Sequence, residues 1–303
     1  MSVPATAEEI RDVNTRYHDG AAPQYDSKWG IDWGEVGAHQ VLLKTRKALG
    51  GPPPHFARSL EIGAGTGYFS LHLLKAGVVG AATCTDISPV MLETLAVNAT
   101  QLGLKVSTVT CDAEQLPFED ASFELVMGHA VLHHLPDLAR AFREFERVLT
   151  PGGTVFFAGE PSRTGDRIAN VPKRAASYVA PAWRRALGAR KAAAGHTDGG
   201  EHNHRLESSV DVHAFVPDDL ARFARGAGFR DVRVRGEELL ANWFGWANRA
   251  LEATAEPDDV PWLWRQYAFR GYLALQQLDT RLLEKRLPPA IFYNLMVSAR
   301  KAG

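Results

Sequence analysis

The 303-residue sequence predicts an α/β fold built on a largely parallel sheet, and three observations carry that expectation. From Arg58 onward short strand-like runs alternate with helix-like ones, the pattern of βαβ units. The first of these runs ends in a glycine-rich turn, Glu61-Ile-Gly63-Ala64-Gly65-Thr-Gly67, followed by the apolar spacing of a helix. Farther on, Leu138, Phe142, Phe145 and Leu149 form an i, i+4, i+7, i+11 stripe inside Leu135–Leu149, and Pro151-Gly-Gly153 stops that helix.

Taken in order, residues 1 to about 50 read as helical and polar, and Gly50-Gly-Pro-Pro-Pro54 breaks them off. This predicts an N-terminal helical cap over residues 1–56 ahead of a main domain over 57–303. Strands are expected at Ser59–Ile62, Ala81–Thr85, Val106–Thr110, Phe123–Met127 and Thr154–Ala158, with helices at Tyr68–Ala76 and Pro89–Leu102. Pattern is lost between Pro161 and about Leu206, which reads as an inserted lid over 161–206. Order returns at Val216-Pro-Asp-Asp-Leu220, where proline and two acids open a helix that closes at Gly228, and an alternating strand Asp231–Arg235 follows. A second, aromatic-rich insertion spans 243–287, and Ala290–Ala299 supplies a last strand.

Composition narrows the function classes. A formal net charge of -1 provides no global attraction for nucleic acid or anionic lipid, so the expected partner is a small molecule rather than nucleic acid or membrane. No apolar run approaches the roughly 20 residues of a spanning helix. The N-terminus lacks the cationic and apolar succession of a signal peptide, which predicts a cytoplasmic protein. The two cysteines, Cys84 and Cys111, fit reduced, buried thiols better than a disulfide or a metal site.

The glycine turn carries the strongest chemical signal. Glycines at this spacing let the backbone bend sharply and approach a ligand that a Cβ would block. They also leave N–H groups at a helix start to face a carboxylate or phosphate. Dinucleotide enzymes show G-x-G-x-x-G, whereas here the third glycine comes one place early and Tyr68 takes the sixth position. Glu61 at the strand end suits a cationic amino group better than a pyrophosphate. Asp86, closing the second strand with Ile87 behind it, stands where an acid receives two ribose hydroxyls; its structural alternative is to cap the helix starting near Pro89. Asp112, followed by Ala113, ends the third strand and can accept from an adenine amino group; the alternative is a turn-forming aspartate.

These elements, with Leu116-Pro-Phe118, Ser122-Phe-Glu124, Val131-Leu-His-His134 and Arg147-Val-Leu-Thr-Pro-Gly-Gly153 in that order, resemble the class I S-adenosylmethionine-dependent methyltransferases. The resemblance is strong over about 59–160 and weaker over 216–229 and the last strand; Glu124 departs from the group's usual aspartate. It implies a Rossmann-like, seven-stranded, mostly parallel sheet with an antiparallel last strand and helices on both faces. It also implies S-adenosylmethionine as methyl donor and S-adenosylhomocysteine as product, with cofactor roles for Glu61, Gly63, Ala64, Gly65, Gly67, Asp86 and Asp112. The backbone at His129 and Ala130 resembles the family position that contacts the methionine amino group, and Tyr17 and Tyr25 resemble the segment that folds over the cofactor carboxylate, ordinary aromatic packing being their alternative.

The acceptor is less legible: a hydroxyl is expected, with methylation of carbon or nitrogen in a small molecule as the alternative. A hydroxyl acceptor needs a base, and a neutral imidazole suits that work near neutral pH. His134 is the first candidate; adjacent His133 and His134 point different ways, so at most one faces the substrate while the other packs. Glu160 on a neighbouring strand end is expected to orient that imidazole or to bind a substrate group. His213 is a candidate pocket residue, whereas His196, His202 and His204 match no metal-binding spacing and no metal is expected. Trp243 and Trp246, in the densest aromatic region, suggest a bulky, partly apolar acceptor; core packing or a homodimer contact is the alternative. A nicotinamide-dependent oxidoreductase and a non-catalytic cofactor-binding protein are the rival classes.

Overall fold

The computed structural model describes residues 6–192 and 212–303. The chain divides into two compact units, the first drawn from described residues 6–160, 212–234 and 296–303 and the second from 161–192 and 235–295.

In the first unit a capping box starts α1 (Ala7–Ala21), with the Thr6 hydroxyl accepting from the Glu9 N–H and the Glu9 carboxylate accepting from the Thr6 N–H. Its apolar stripe, Val13, Tyr17 and Ala21, is buried at a four-residue spacing. A short helix, α2 (Tyr25–Trp29), and α3 (Glu35–Leu49) complete the N-terminal segment. The core then alternates β1 (Phe56–Ile62), α4 (Tyr68–Lys75), β2 (Val79–Asp86), α5 (Pro89–Gln101), β3 (Ser107–Thr110), β4 (Phe123–His129), α6 (Leu138–Val148) and β5 (Leu149–Pro161). β6 (Arg230–Glu237) follows α8 (Pro217–Gly226), and β7 (Asn294–Arg300) closes the chain.

The sheet has seven strands in the order β3-β2-β1-β4-β5-β7-β6 and is mostly parallel with one antiparallel strand. The parallel ladder runs from β3 through β2, β1 and β4 to β5, pairing Leu60 with Thr83 on one side and with Val126 on the other, with a register shift between Phe123 and Leu125 where β4 meets β5. The order reverses at β1, because β2 lies to one side and β4 to the other, and a ligand crevice opens beyond the strand ends at such a switch point. Leu60, Leu71, Leu125, Phe156 and Phe157 are completely buried and fix the sheet against its helices.

The expected core helices and strands fall within a few residues of their positions, with one difference at the end of α6. No loop separates it from β5, which already begins at Leu149, so Pro151-Gly-Gly153 lies within the strand. The last strand begins at Asn294, because Pro289–Ile291 form a 3-10 turn.

In the second unit, the start of the stretch read as a patternless lid is a 25-residue helix, α7 (Arg163–Leu187). Its buried stripe consists of Gly165, Ala169, Ala176 and Ala180, so the periodicity is carried by small residues. Pro172 and Pro181 lie inside it, against their usual role as breakers. The aromatic stretch forms α9 (Leu240–Glu252) and α10 (Trp262–Leu278). Among the described residues no helix is long and apolar enough to cross a membrane.

Candidate active site

Beyond the carboxyl ends of β1, β2, β3 and β4 opens a cleft. Gly63, Gly65, Asp86, Ile87, Asp112, Ala113, His129, Ala130, His134 and Tyr25 all line it.

The three glycines of the turn have positive φ, at 62°, 52° and 93° for Gly63, Gly65 and Gly67, which explains their residue type directly. Their surroundings differ. A Cβ on Gly63 would lie 2.4 Å from the Val131 side chain, and one on Gly67 would lie 2.7 Å from Leu95. At Gly65 the nearest atom, on the Tyr25 ring, is 4.0 Å away. Only Gly65 thus keeps open backbone for a ligand; the other two admit neighbouring side chains. Gly67 and Ala64 are absent from the cleft wall, and Ala64 is buried in the core.

Glu61 departs from its expected exposure to an amino group. It is buried, and Oε2 accepts from the Ser70 N–H at 2.9 Å. Ser70 is the third residue of α4, whose N-cap is Gly67 and has no side chain to cap with. The carboxylate from β1 therefore supplies the missing cap from beneath the turn. Burial raises its pKa to about 7, against the lowering effect of the Ser70 hydrogen bonds. Because the folded value lies above the unfolded one, this contribution to stability is full below the ordinary carboxylate range and is lost as pH rises through about 7. Glu61→Gln is expected to gain about 3 kcal/mol relative to the parent between about pH 4 and pH 9. Thermal melts at both pH values check this; a constant gap would contradict it.

Asp86 is pinned on both oxygens, Oδ2 accepting from the Gly65 N–H at 2.8 Å and Oδ1 from the Ser88 N–H at 2.9 Å. The capping of α5 falls to Ser88, which accepts from the Met91 N–H. Asp112 Oδ1 accepts from the Glu114 N–H, and Oδ2 lies 2.7 Å from Arg11 Nε. Arg11 also pairs with Glu114, and it lines the cleft with Asn14 and His18, all from α1. These three residues were not singled out in the sequence. Their signal was the i, i+3, i+7 spacing of polar residues beside the buried Val13–Tyr17–Ala21 stripe. Tyr17 itself is buried with Val13 and does not reach the cleft wall. Tyr25 does, and burial, followed by the charges of Asp86 and Asp26, raises its pKa to about 12, so its hydroxyl stays protonated. Cys111 also lines the cleft, and burial pushes its thiol to about 11, which keeps it unreactive.

The turn after β4 carries the histidines. Ala130 adopts φ 53°, a left-handed conformation that costs a non-glycine residue energy, and its N–H donates to the Ala158 carbonyl. His129 stacks on Phe69 at 4.8 Å. Glu160 is completely buried: Oε1 accepts from the Val131 and Leu132 N–H groups at 3.0 Å, and Oε2 from the His133 N–H and, at 2.8 Å, from His133 Nδ1. The carboxylate thus orients His133, which is buried, rather than the cleft-lining His134, and burial withholds it from any substrate group. His213 is a brace: Nε2 lies 3.0 Å from the Leu135 carbonyl, and its backbone N–H donates to the His133 carbonyl. It does not line the cleft. In the second unit, Trp246 packs with Tyr293 at 5.6 Å and under Lys173, while Trp243 Nε1 is buried without a hydrogen-bond partner. His196, His202 and His204 lie outside the described residues.

A switch-point cleft, a glycine turn pinned by the acid of the next strand and a third acid on the rim together define a nucleoside-binding α/β enzyme. Residues 60–157 match the family described as Methyltransferase domain. The chain is 34% identical over 186 residues to the demethylmenaquinone methyltransferase of Roseiflexus castenholzii, covering 60% of this chain and 72% of the relative. It is 33% identical over 156 residues to the malonyl-[acyl-carrier protein] O-methyltransferase of Halorhodospira halophila, and there the chain spans half of the relative's length. Its fold is similar to that of phosphoethanolamine N-methyltransferase 2 of Haemonchus contortus in complex with S-adenosyl-L-methionine, with TM-score 0.60 and 18% identity over 97% of this chain and 60% of that one. The chain belongs to the class I S-adenosylmethionine-dependent methyltransferases, which sets aside the nicotinamide-dependent rival.

Proposed function

We propose that this protein methylates a hydroxyl of a small, bulky and partly apolar metabolite or sugar-containing compound, with His134 as the base. The observation that carries the reading is a cleft-lining imidazole, His134, on the same wall as the β4 turn. Bound in this cleft, S-adenosylmethionine supplies a methyl group made electrophilic by its sulfonium. Open backbone at Gly65, the Asp86 carboxylate and the buried, unpartnered Asn14 Oδ1 fit a ligand rich in hydrogen-bond donors. In this reading Gly63, Gly65, Tyr25, His129 and Ala130 hold the amino-acid end, Asp86 and Ile87 the ribose, and Asp112 and Ala113 the adenine. Glu61, Ala64, Gly67 and Tyr17 shape the site from behind.

His134 takes the acceptor's proton as its oxygen becomes nucleophilic, and positioning does most of the remaining work. The name of the Roseiflexus relative favours a second reading, methyl transfer to demethylmenaquinone, and transfer to carbon or nitrogen is the alternative to a hydroxyl. Incubation with donor labelled in its methyl carbon, followed by NMR of the product, separates the two. An oxygen-bound label is the expected result; a carbon- or nitrogen-bound label would overturn the hydroxyl reading.

A further inference from the structure

We propose that Asn14 of α1 is a cofactor-binding residue, its Oδ1 accepting a hydrogen bond from the nucleoside half of S-adenosylmethionine; this rests on the seating of the cofactor given above. Asn14 lines the cleft and is 3% exposed. Its side chain is held in one orientation, because Nδ2 donates to the Ile10 carbonyl one turn earlier at 2.9 Å. Turning the amide over would set two acceptors face to face, so Oδ1 is the atom that has no donor. A buried carbonyl oxygen with no partner costs stability, and asparagine is a poor helix former as well. Both costs fall on one side chain at the wall of the cleft, and a donor brought by the ligand offsets them.

The place of Asn14 along α1 points to the nucleoside. Three residues before it, Arg11 pairs with Asp112 and Glu114, the acids that follow β3. Five residues after it, Asp19 accepts from the Ser88 hydroxyl, and the Ser88 N–H donates to Asp86 at the end of β2. The helix therefore runs from the acid read as the adenine contact to the acid read as the ribose contact, with Asn14 between them. Over that stretch S-adenosylmethionine offers the two ribose hydroxyls and the adenine amino group as donors. Asp86 already accepts from two backbone N–H groups, and Asp112 accepts from one and carries Arg11 besides. A further acceptor suits a ligand with three such groups, and an amide oxygen adds no negative charge beside the two carboxylates.

Calorimetric titration of the full chain with S-adenosylhomocysteine, for the parent, Asn14→Leu and Asn14→Ala, tests this. Both variants are expected to bind about tenfold more weakly. Leucine fills the same space and alanine leaves it open, so a loss shared by both is not crowding. Three analogues of S-adenosylhomocysteine, lacking the 2′-hydroxyl, the 3′-hydroxyl or the adenine amino group, identify the donor. The analogue without the group that Asn14 accepts from should bind the parent and both variants within about twofold of one another. A penalty equal for the full product and all three analogues overturns the proposal. Before ligand is added, the leucine variant should melt about 2–4 °C above the parent, since it removes an unpartnered buried oxygen. A lower melting temperature means that Oδ1 serves the fold and likewise overturns the proposal. Two variants that bind as well as the parent overturn the role of Asn14 alone, whereas a parent that does not bind overturns the cofactor seating beneath it.

Discussion

Replacing His134 with alanine is expected to lower kcat by about 10²–10⁴ while leaving the affinity for S-adenosylhomocysteine unchanged. The size follows from the chemistry. A hydroxyl is a weak nucleophile until its proton is taken, and His134 is the cleft-lining imidazole packed against both His18 and His133. Cofactor affinity should survive because the glycine turn, Asp86 and Asp112 are held by partners other than His134. Calorimetric titration with the homocysteine product and a turnover assay on the acceptor identified with labelled donor give the two readouts. Unchanged turnover would point to a carbon acceptor or to one already ionised, and loss of product binding would assign His134 to the cofactor.

Glu160→Ala is expected to cost about 3–5 kcal/mol of stability. The carboxylate is completely buried and accepts from three successive backbone N–H groups and from the His133 ring. Its removal leaves four buried donors unsatisfied at the turn that also holds Ala130 at a positive φ. Glu160→Gln should fare little better, since the amide nitrogen would confront the two His133 donors. Chemical denaturation with an unchanged m-value measures the loss; a change below about 1 kcal/mol would mean that the turn finds other acceptors.

Much of this architecture is legible in the residues. The βα alternation, the α6 stripe of Leu138, Phe142 and Phe145, and the switch-point glycines depend on local spacing, and local spacing is written in the chain. Gly63, Gly65, Asp86, Asp112, His129, Ala130 and His134 could be singled out because strand ends place them on one rim. The helix α7 escaped because its buried stripe is alanine and glycine, which look the same in a loop, and because two prolines argue against any helix. Glu61 was misplaced for a different reason: strand alternation cannot tell whether a terminal carboxylate faces a cleft or the first turn of the next helix.

What the sequence by itself determined was the order of the core elements between β1 and β5, the family and the rim on which a nucleoside ligand binds, since these follow from periodicity and from residues within a few positions of one another. Only the tertiary structure decided which side chains share that rim from afar. Arg11 meets Asp112 and Glu114, His18 meets His134, and Glu160 takes His133, across 101, 103, 116 and 27 positions respectively. Pairings at such separations arise from packing of the whole sheet and its helices, and no local pattern in the chain encodes them.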